Sequence, residues 1–230
     1  MCSSISVPTK IRLSDRKNYL QLCLSYGSIF ALLKPRDSFT LKHMEKQIHR
    51  IVITGAPGTG KTAVIEALQE LGYHIFPEVI REFTSEETAL QESPQEATNP
   101  IVFAEDSEGF NRRLLRGRQK QYLDGSALAQ PLFYDRGLPD VLAYMDYFEQ
   151  SYTEEFERYC LDHRYDLVFI MPPWESIFHA DGGRFETFQQ AKELHHSLMS
   201  SYERFGYPLI EVPKNTIEKR VAFILEQLNR

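Results

Sequence analysis

The chain has 230 residues, 42% of them hydrophobic and 25% charged, enough for one large core and unlike collagenous, disordered or disulfide-scaffold chains. Its formal charge of −6 makes the body a poor binder of nucleic acid, whose non-specific affinity rests on Lys and Arg neutralising phosphates. Cys2, Cys23 and Cys160 show no CxxC spacing and leave an odd thiol, which argues against a zinc knuckle or a secreted disulfide framework and for a reducing cytoplasm.

The charge is unevenly spread. Met1 to His43 carries seven Lys/Arg against Asp15 and Asp37, whereas Met44 to Arg230 holds 19 basic and 30 acidic residues. Tyr19 to Leu33 leans apolar but is broken by Gln21, Ser25, Gly27 and Ser28, too short a run to span a bilayer, which needs about 20 mostly apolar residues. Residues 1–48 are therefore read as an N-terminal extension, dispensable to the fold or at most an accessory or targeting segment. Residues 49–230 are read as the working domain.

In that domain, Ile51 to Thr54 reads as a β-branched strand, and Ala63 to Leu71 as a helix with Val64, Leu68 and Leu71 on one face. Tyr73 to Phe76 is a second strand. Thr84 to Pro100 is a polar surface insertion, and a long amphipathic helix then runs to about Leu123. On it lies a basic run, Arg112, Arg113, Arg116, Arg118 and Lys120, of which Arg112, Arg116 and Lys120 share a face, a solvated surface or an anion-binding one. Strands follow at Pro131–Tyr134, Leu167–Met171 and Pro208–Val212. The last helix opens at an Asn215…Glu218 capping pattern and places Val221, Ile224, Leu225 and Leu228 together. His195 and His196 are adjacent, so on a helix they point apart and make a poor metal pair. Short buried strands alternating with helices give an α/β fold: a five-stranded, mostly parallel sheet with helices on both faces and a helical lid. Ligands of such sheets sit at the carboxyl ends of the strands.

One string carries the chemistry. Gly55-Ala56-Pro57-Gly58-Thr59-Gly60-Lys61-Thr62 matches G-x-x-x-x-G-K-[ST] between a predicted strand and a predicted helix, the context that a phosphate-binding P-loop requires. Its backbone N–H groups would converge on phosphate oxygens at a helix N-terminus. Lys61 would supply a point charge, and the Thr62 hydroxyl a ligand for Mg2+. Asp135 closes the apolar third strand, where a carboxylate would hold that ion directly or through water. The next residue is Arg136 rather than the glutamate of a hydrolytic Asp-Glu pair. An arginine there suits substrate binding or stabilisation of transferring charge, or pairing with a neighbouring carboxylate.

The strings GAPGTGKT, FPEVIREF, YDRGLPDVLAY, MPPWE, HADGGRFE and EVPKNTIEKRVAFIL together resemble the NadR-type and TRPL-translocation-defect-type P-loop domains, an AAA-like ATPase family. The resemblance covers about residues 49 to 227. Its wider relatives are nucleoside and nucleoside-monophosphate kinases, and its members include nicotinamide-riboside kinase domains and a GTP-binding protein. It implies that Glu78, just after the second strand, accepts the proton of an attacking hydroxyl; pairing with Arg81 or capping a helix is the alternative. It also places Asp181-Gly182-Gly183-Arg184 at a kinase lid, where Arg184 could reach the transferring phosphate. Trp174 lies on the ligand edge, as packing or as a contact.

The resulting expectation is a Mg2+-dependent kinase moving the γ-phosphate of ATP, or of GTP, to an unidentified nucleoside- or nucleotide-like small molecule. Lys61, Glu78, Arg136 and Arg184 would be catalytic, Gly55 to Thr62 nucleotide-binding, and Thr62 and Asp135 metal-binding. The alternative is a nucleotide-dependent binding module or slow NTPase controlling a partner protein. No N-K-x-D string selects guanine. Acceptor and oligomeric state are not legible.

Overall fold

The computed structural model describes residues 50–80, 106–178 and 187–228, all within the compact unit Gln47–Arg230. The extension 1–48 (with the first residue of the working domain, 49), the 84–100 insertion, Arg81 and the 181–184 turn carrying Arg184 lie outside these described residues.

Five strands, β1 (Arg50–Gly55), β2 (His74–Phe76), β3 (Leu132–Asp135), β4 (Leu167–Met171) and β5 (Leu209–Glu211), form one sheet in the order β2-β3-β1-β4-β5. Every pairing is parallel. Among the described residues six α-helices surround it: α1 (Lys61–Glu70), α2 (Ser107–Asp124), α3 (Leu138–Tyr147), α4 (Glu154–Asp162), α5 (Phe188–Arg204) and α6 (Ile217–Gln227).

The two-residue period of the strands divides the core. Ile51, Ile53, Phe133, Phe169 and Met171 point to one face and pack with Val64, Leu68, Val221 and Ile224 of α1 and α6. Val52, Leu132, Tyr134, Val168 and Ile170 point to the other, beneath α2 to α5. Central strands buried on both faces read as unbroken apolar runs rather than alternating ones, which is why each was visible in sequence.

β1 is central, so its carboxyl end is the switch point from which the chain winds outward both ways, the usual place for a ligand crevice. α3 starts just past β3, with Pro139 in its first turn and Asp140 accepting from the Gly137 N–H at 2.8 Å. α5 opens on a reciprocal cap in which Thr187 N–H donates to Gln190 Oε1 at 2.8 Å and Gln190 N–H to Thr187 Oγ1 at 3.2 Å. Its Ser197 and Ser201 donate to the Ala143 and Pro139 carbonyls, locking α5 onto α3. α6 departs slightly from expectation: its cap is Thr216, whose N–H is held by Asn215 Oδ1 at 2.9 Å, so Asn215 closes a turn before the helix rather than the helix itself.

The basic run on α2 is also not one surface. Arg112 pairs with Glu108 and Glu155 and Lys120 with Asp124, while Arg118 is buried and donates to the Gly137 carbonyl. Among the described residues, no helix is long and apolar enough to cross a membrane.

Candidate functional site

β1 ends and α1 begins around the loop Gly55–Thr62. Gly58 and Gly60 adopt φ of +75° and +79°, left-handed values that cost an L side chain energy. The space is closed as well: a Cβ on Gly58 would lie 2.5 Å from the Phe178 ring, and one on Gly60 would lie 2.8 Å from Arg220 Nη1. Thr59 turns inward and donates from Oγ1 to the Ala56 carbonyl at 2.9 Å.

Lys61 Nζ donates to the Gly55 and Ala56 carbonyls at 2.8 and 3.0 Å. Its burial, reinforced by the nearby Arg136 charge and only partly offset by Asp135, Glu78 and Asp140, lowers its pKa to about 7. A buried ammonium held by two carbonyls and facing a second cation has unmet demand for an anion.

Arg136 is the hub on the other side of the loop. It is one of two non-glycine residues among those described with positive φ, at +72°, a conformation costing about 1–3 kcal/mol unless the surroundings hold it. Its Nε donates to Glu78 Oε1 at 2.5 Å, and Nη1 to Gly55 O at 3.1 Å and Asp140 Oδ1 at 3.2 Å. Its backbone N–H donates to the Ile53 carbonyl at 3.1 Å. Gly55 O thus receives both Lys61 and Arg136, joining the loop to the β3–α3 turn.

Glu78 follows β2 and reaches this cluster from the far side of β3. Burial alone would raise its pKa, but the Arg136, Lys61 and Arg118 charges prevail and hold it ionised, well below the ordinary carboxylate range. Asp135 ends β3 opposite Ile53 of β1 and is buried beside the same cations. Asp135, Thr62 and the loop N–H groups share one sheet edge.

Asp140, fully buried, supports the whole arrangement. Thr54 Oγ1 donates to its Oδ1 at 2.5 Å, and Tyr202 Oη and the Gly137 N–H donate to its Oδ2 at 2.5 and 2.8 Å. One carboxylate therefore ties β1, the Arg136 turn, α3 and α5 together.

The structure brings Gly55 to Thr62, Glu78, Asp135 and Arg136 to one place, and Glu78 pairs with Arg136. Trp174 is partly exposed beside Arg220, whose guanidinium lies 6.0 Å from its ring centroid. His195 and His196 do diverge on α5: His195 is buried and its pKa falls to about 4 through burial, while exposed His196 donates from Nδ1–H to the Lys192 carbonyl at 2.7 Å. Asp140 and Arg220 stood in no assigned role in the sequence, and Arg118 only within the basic run of α2. A charged residue inside an apolar helical stripe was the available signal for each.

A P-loop on the central strand of a parallel sheet, with buried cations at its mouth, defines a P-loop nucleotide-binding protein. More particularly, a sequence model of the AAA domain matches residues 50–220, and the chain belongs to that family. No curated protein sequence matches it. Among solved structures it is similar to a deoxyadenosine kinase from M. mycoides with bound dATP, at 18% identity and TM-score 0.55, over 79% of this chain and 100% of that one. The NadR protein in complex with NR matches at 17% identity and TM-score 0.57, over 80% of this chain and 51% of that one. A thymidylate kinase from Ehrlichia chaffeensis matches at 9% and 0.51, over 78% and 98%. These likenesses establish the P-loop kinase-like fold.

Proposed function

We propose that the protein is an ATP-using kinase that transfers the γ-phosphate to a small nucleoside- or nucleotide-like acceptor. The observation that carries this reading is the Glu78–Arg136 pair at 2.5 Å, joined through Gly55 O to Lys61. A carboxylate kept ionised at the phosphate end of the loop is a proton acceptor in waiting, and Asp135 is followed by Arg136 rather than by the glutamate of a hydrolytic Asp-Glu pair.

In this mechanism the loop N–H groups and Lys61 grip the nucleotide phosphates, and nucleotide binding returns Lys61 to its charged form. Glu78 accepts a hydrogen bond from the acceptor hydroxyl and takes its proton onto a carboxylate oxygen as the new O–P bond forms and the bond from the γ-phosphorus to the β-phosphate bridging oxygen breaks, with ADP leaving. Arg136 fixes Glu78 and offers its remaining N–H to charge developing on the transferring group. Arg184 is proposed to join from the lid. Phosphoryl transfer of this kind depends on positioning and charge more than on covalent help from the protein.

The oxygen donors Thr62 and Asp135 suit Mg2+, a hard cation that takes few protein ligands and completes its shell with phosphates and water. Bound there, Mg2+ would neutralise phosphate charge. ATP is taken as the donor in this reading, with GTP the alternative; the sequence has no N-K-x-D string that would argue for GTP.

The test is a panel of nucleosides, nucleotides and related alcohols incubated with ATP and Mg2+. A phosphorylated product formed by the wild type and absent with Lys61→Ala is expected; no product above that control across the panel overturns the kinase reading. AAA-domain membership favours a second reading, a slow NTPase or nucleotide-dependent binding module. Free phosphate released without any acceptor product, or partner capture that depends on the nucleotide bound, would favour it.

A further inference from the structure

The phosphate loop is also held by a further buried cation that the mechanism above does not use. Arg220, in the first turn of α6, is 3% exposed. Its Nη2 donates to the Thr59 carbonyl at 2.6 Å and contacts Met171 Sδ at 3.7 Å, while Nε has no hydrogen-bond partner among the described residues. Trp174 lies at 6.0 Å. Unlike Arg136, with Glu78 and Asp140 beside it, Arg220 makes no ion pair with any carboxylate among the described residues, and burial is the one influence on its pKa, which it lowers.

A buried, uncompensated guanidinium is costly, so its position asks for an explanation beyond packing. The peptide geometry supplies one. No peptide bond among the described residues is cis, and in a planar trans peptide the C=O of one residue and the N–H of the next point in opposite directions. A guanidinium pulling on Thr59 O therefore turns the Gly60 N–H away from itself, to the other side of the loop. It also polarises that peptide, since charged donors strengthen the hydrogen bonds further along a chain. Gly60 is the residue whose left-handed φ and missing Cβ let Arg220 approach.

We infer that Arg220 is a positioning residue for nucleotide binding: it holds and polarises the Thr59–Gly60 peptide so that the Gly60 N–H meets a phosphate oxygen. The nucleotide phosphates in turn supply the negative charge that Arg220 lacks. This rests on the nucleotide-binding part of the proposed function and not on the identity of the acceptor.

The experiment is equilibrium binding of Mg-ADP and Mg-ATP to the full chain, read by fluorescence of Trp174, the single tryptophan, and by calorimetry. Wild type is compared with Arg220→Met, Arg220→Gln and Arg220→Lys. Methionine removes donor and charge, glutamine keeps a donor, and lysine keeps both. Met and Gln are expected to bind about tenfold more weakly, the order of one unit charge acting through partly desolvated protein, and Lys to stay within about threefold of wild type. Gln binding like wild type, or Lys binding as weakly as Met, overturns the inference. Should Arg220→Met fail to fold, the Gln and Lys pair decides the question alone. A wild type that binds neither nucleotide overturns the nucleotide reading together with this one, whereas a binding wild type with unaffected variants sinks this one only.

Discussion

Replacing Asp140 with alanine probes the scaffold beneath the site. The carboxylate is fully buried and accepts from Thr54 Oγ1, Tyr202 Oη, the Gly137 N–H and Arg136 Nη1. Its removal strands two hydroxyls and a backbone N–H in a space closed to water, and leaves Arg136 with Glu78 as its one paired carboxylate among these contacts. Each stranded group costs about 1–3 kcal/mol. With partial relaxation and the broken buried ion pair the total is about 4 kcal/mol, a fall in Tm of about 8–16 °C for a protein of this size. Asp140→Asn keeps one acceptor oxygen, and the hydroxyls can rotate to accept from its amide, so about half that loss is expected. Thermal melts and urea titrations followed by circular dichroism give both values. Because Tyr202 acts through Asp140, the Asp140→Ala/Tyr202→Phe double variant should lose less than the two single losses combined. An Asp140→Ala protein melting within about 3 °C of wild type would refute the hub.

Lys61 makes nucleotide binding pH-dependent. Its folded-state pKa of about 7, against an ordinary 10.5, leaves it largely neutral at pH 8 in the free protein, and phosphates restore the charge. Binding should take up about 0.9 proton at pH 8 and about 0.1 at pH 6, with affinity falling up to about tenfold per pH unit above 7; calorimetry in buffers of different ionisation enthalpy reads the uptake, and none at pH 8 contradicts it. Glu78 has the opposite sign on stability: its pKa is depressed in the fold, so its contribution is full above the unfolded value of 4.5 and is lost as the pH falls below it. Glu78→Gln should flatten that acid limb of the stability curve, measured by urea unfolding from pH 5 to 2.5. Gly58→Ala forces a Cβ into a left-handed residue against Phe178 and should cost about 1–3 kcal/mol, seen as a lower urea midpoint.

The parts of the site that were legible in the sequence are those fixed by local backbone chemistry. Gly55 to Thr62 announces itself because only glycine suits the turns at 58 and 60, and the buried strands show as apolar runs. Asp135 and Arg136 were legible because they end such a run. What was not legible depends on contacts across long separations: the pairing of Glu78 with Arg136, 58 residues away, the burial of Arg118 out of an apparently solvated basic run, and the grip of Arg220 on Thr59, 161 residues away. The Thr187…Gln190 cap of α5 was within reach, since it follows the T-x-x-Q form of a capping box. The exact start of α6 was not, because Asn215 and Thr216 are both competent caps and tertiary packing chooses between them.

The most direct test of the account is a single-turnover experiment with ATP labelled in the γ-phosphate, excess enzyme, Mg2+ and the acceptor panel, in which the fate of the label is separated into organic ester and free phosphate. The account predicts that with one class of nucleoside-like acceptor most of the label appears as ester, and that Glu78→Gln slows this transfer while nucleotide still binds. Label found as free phosphate alone, at a rate no acceptor changes, would contradict it.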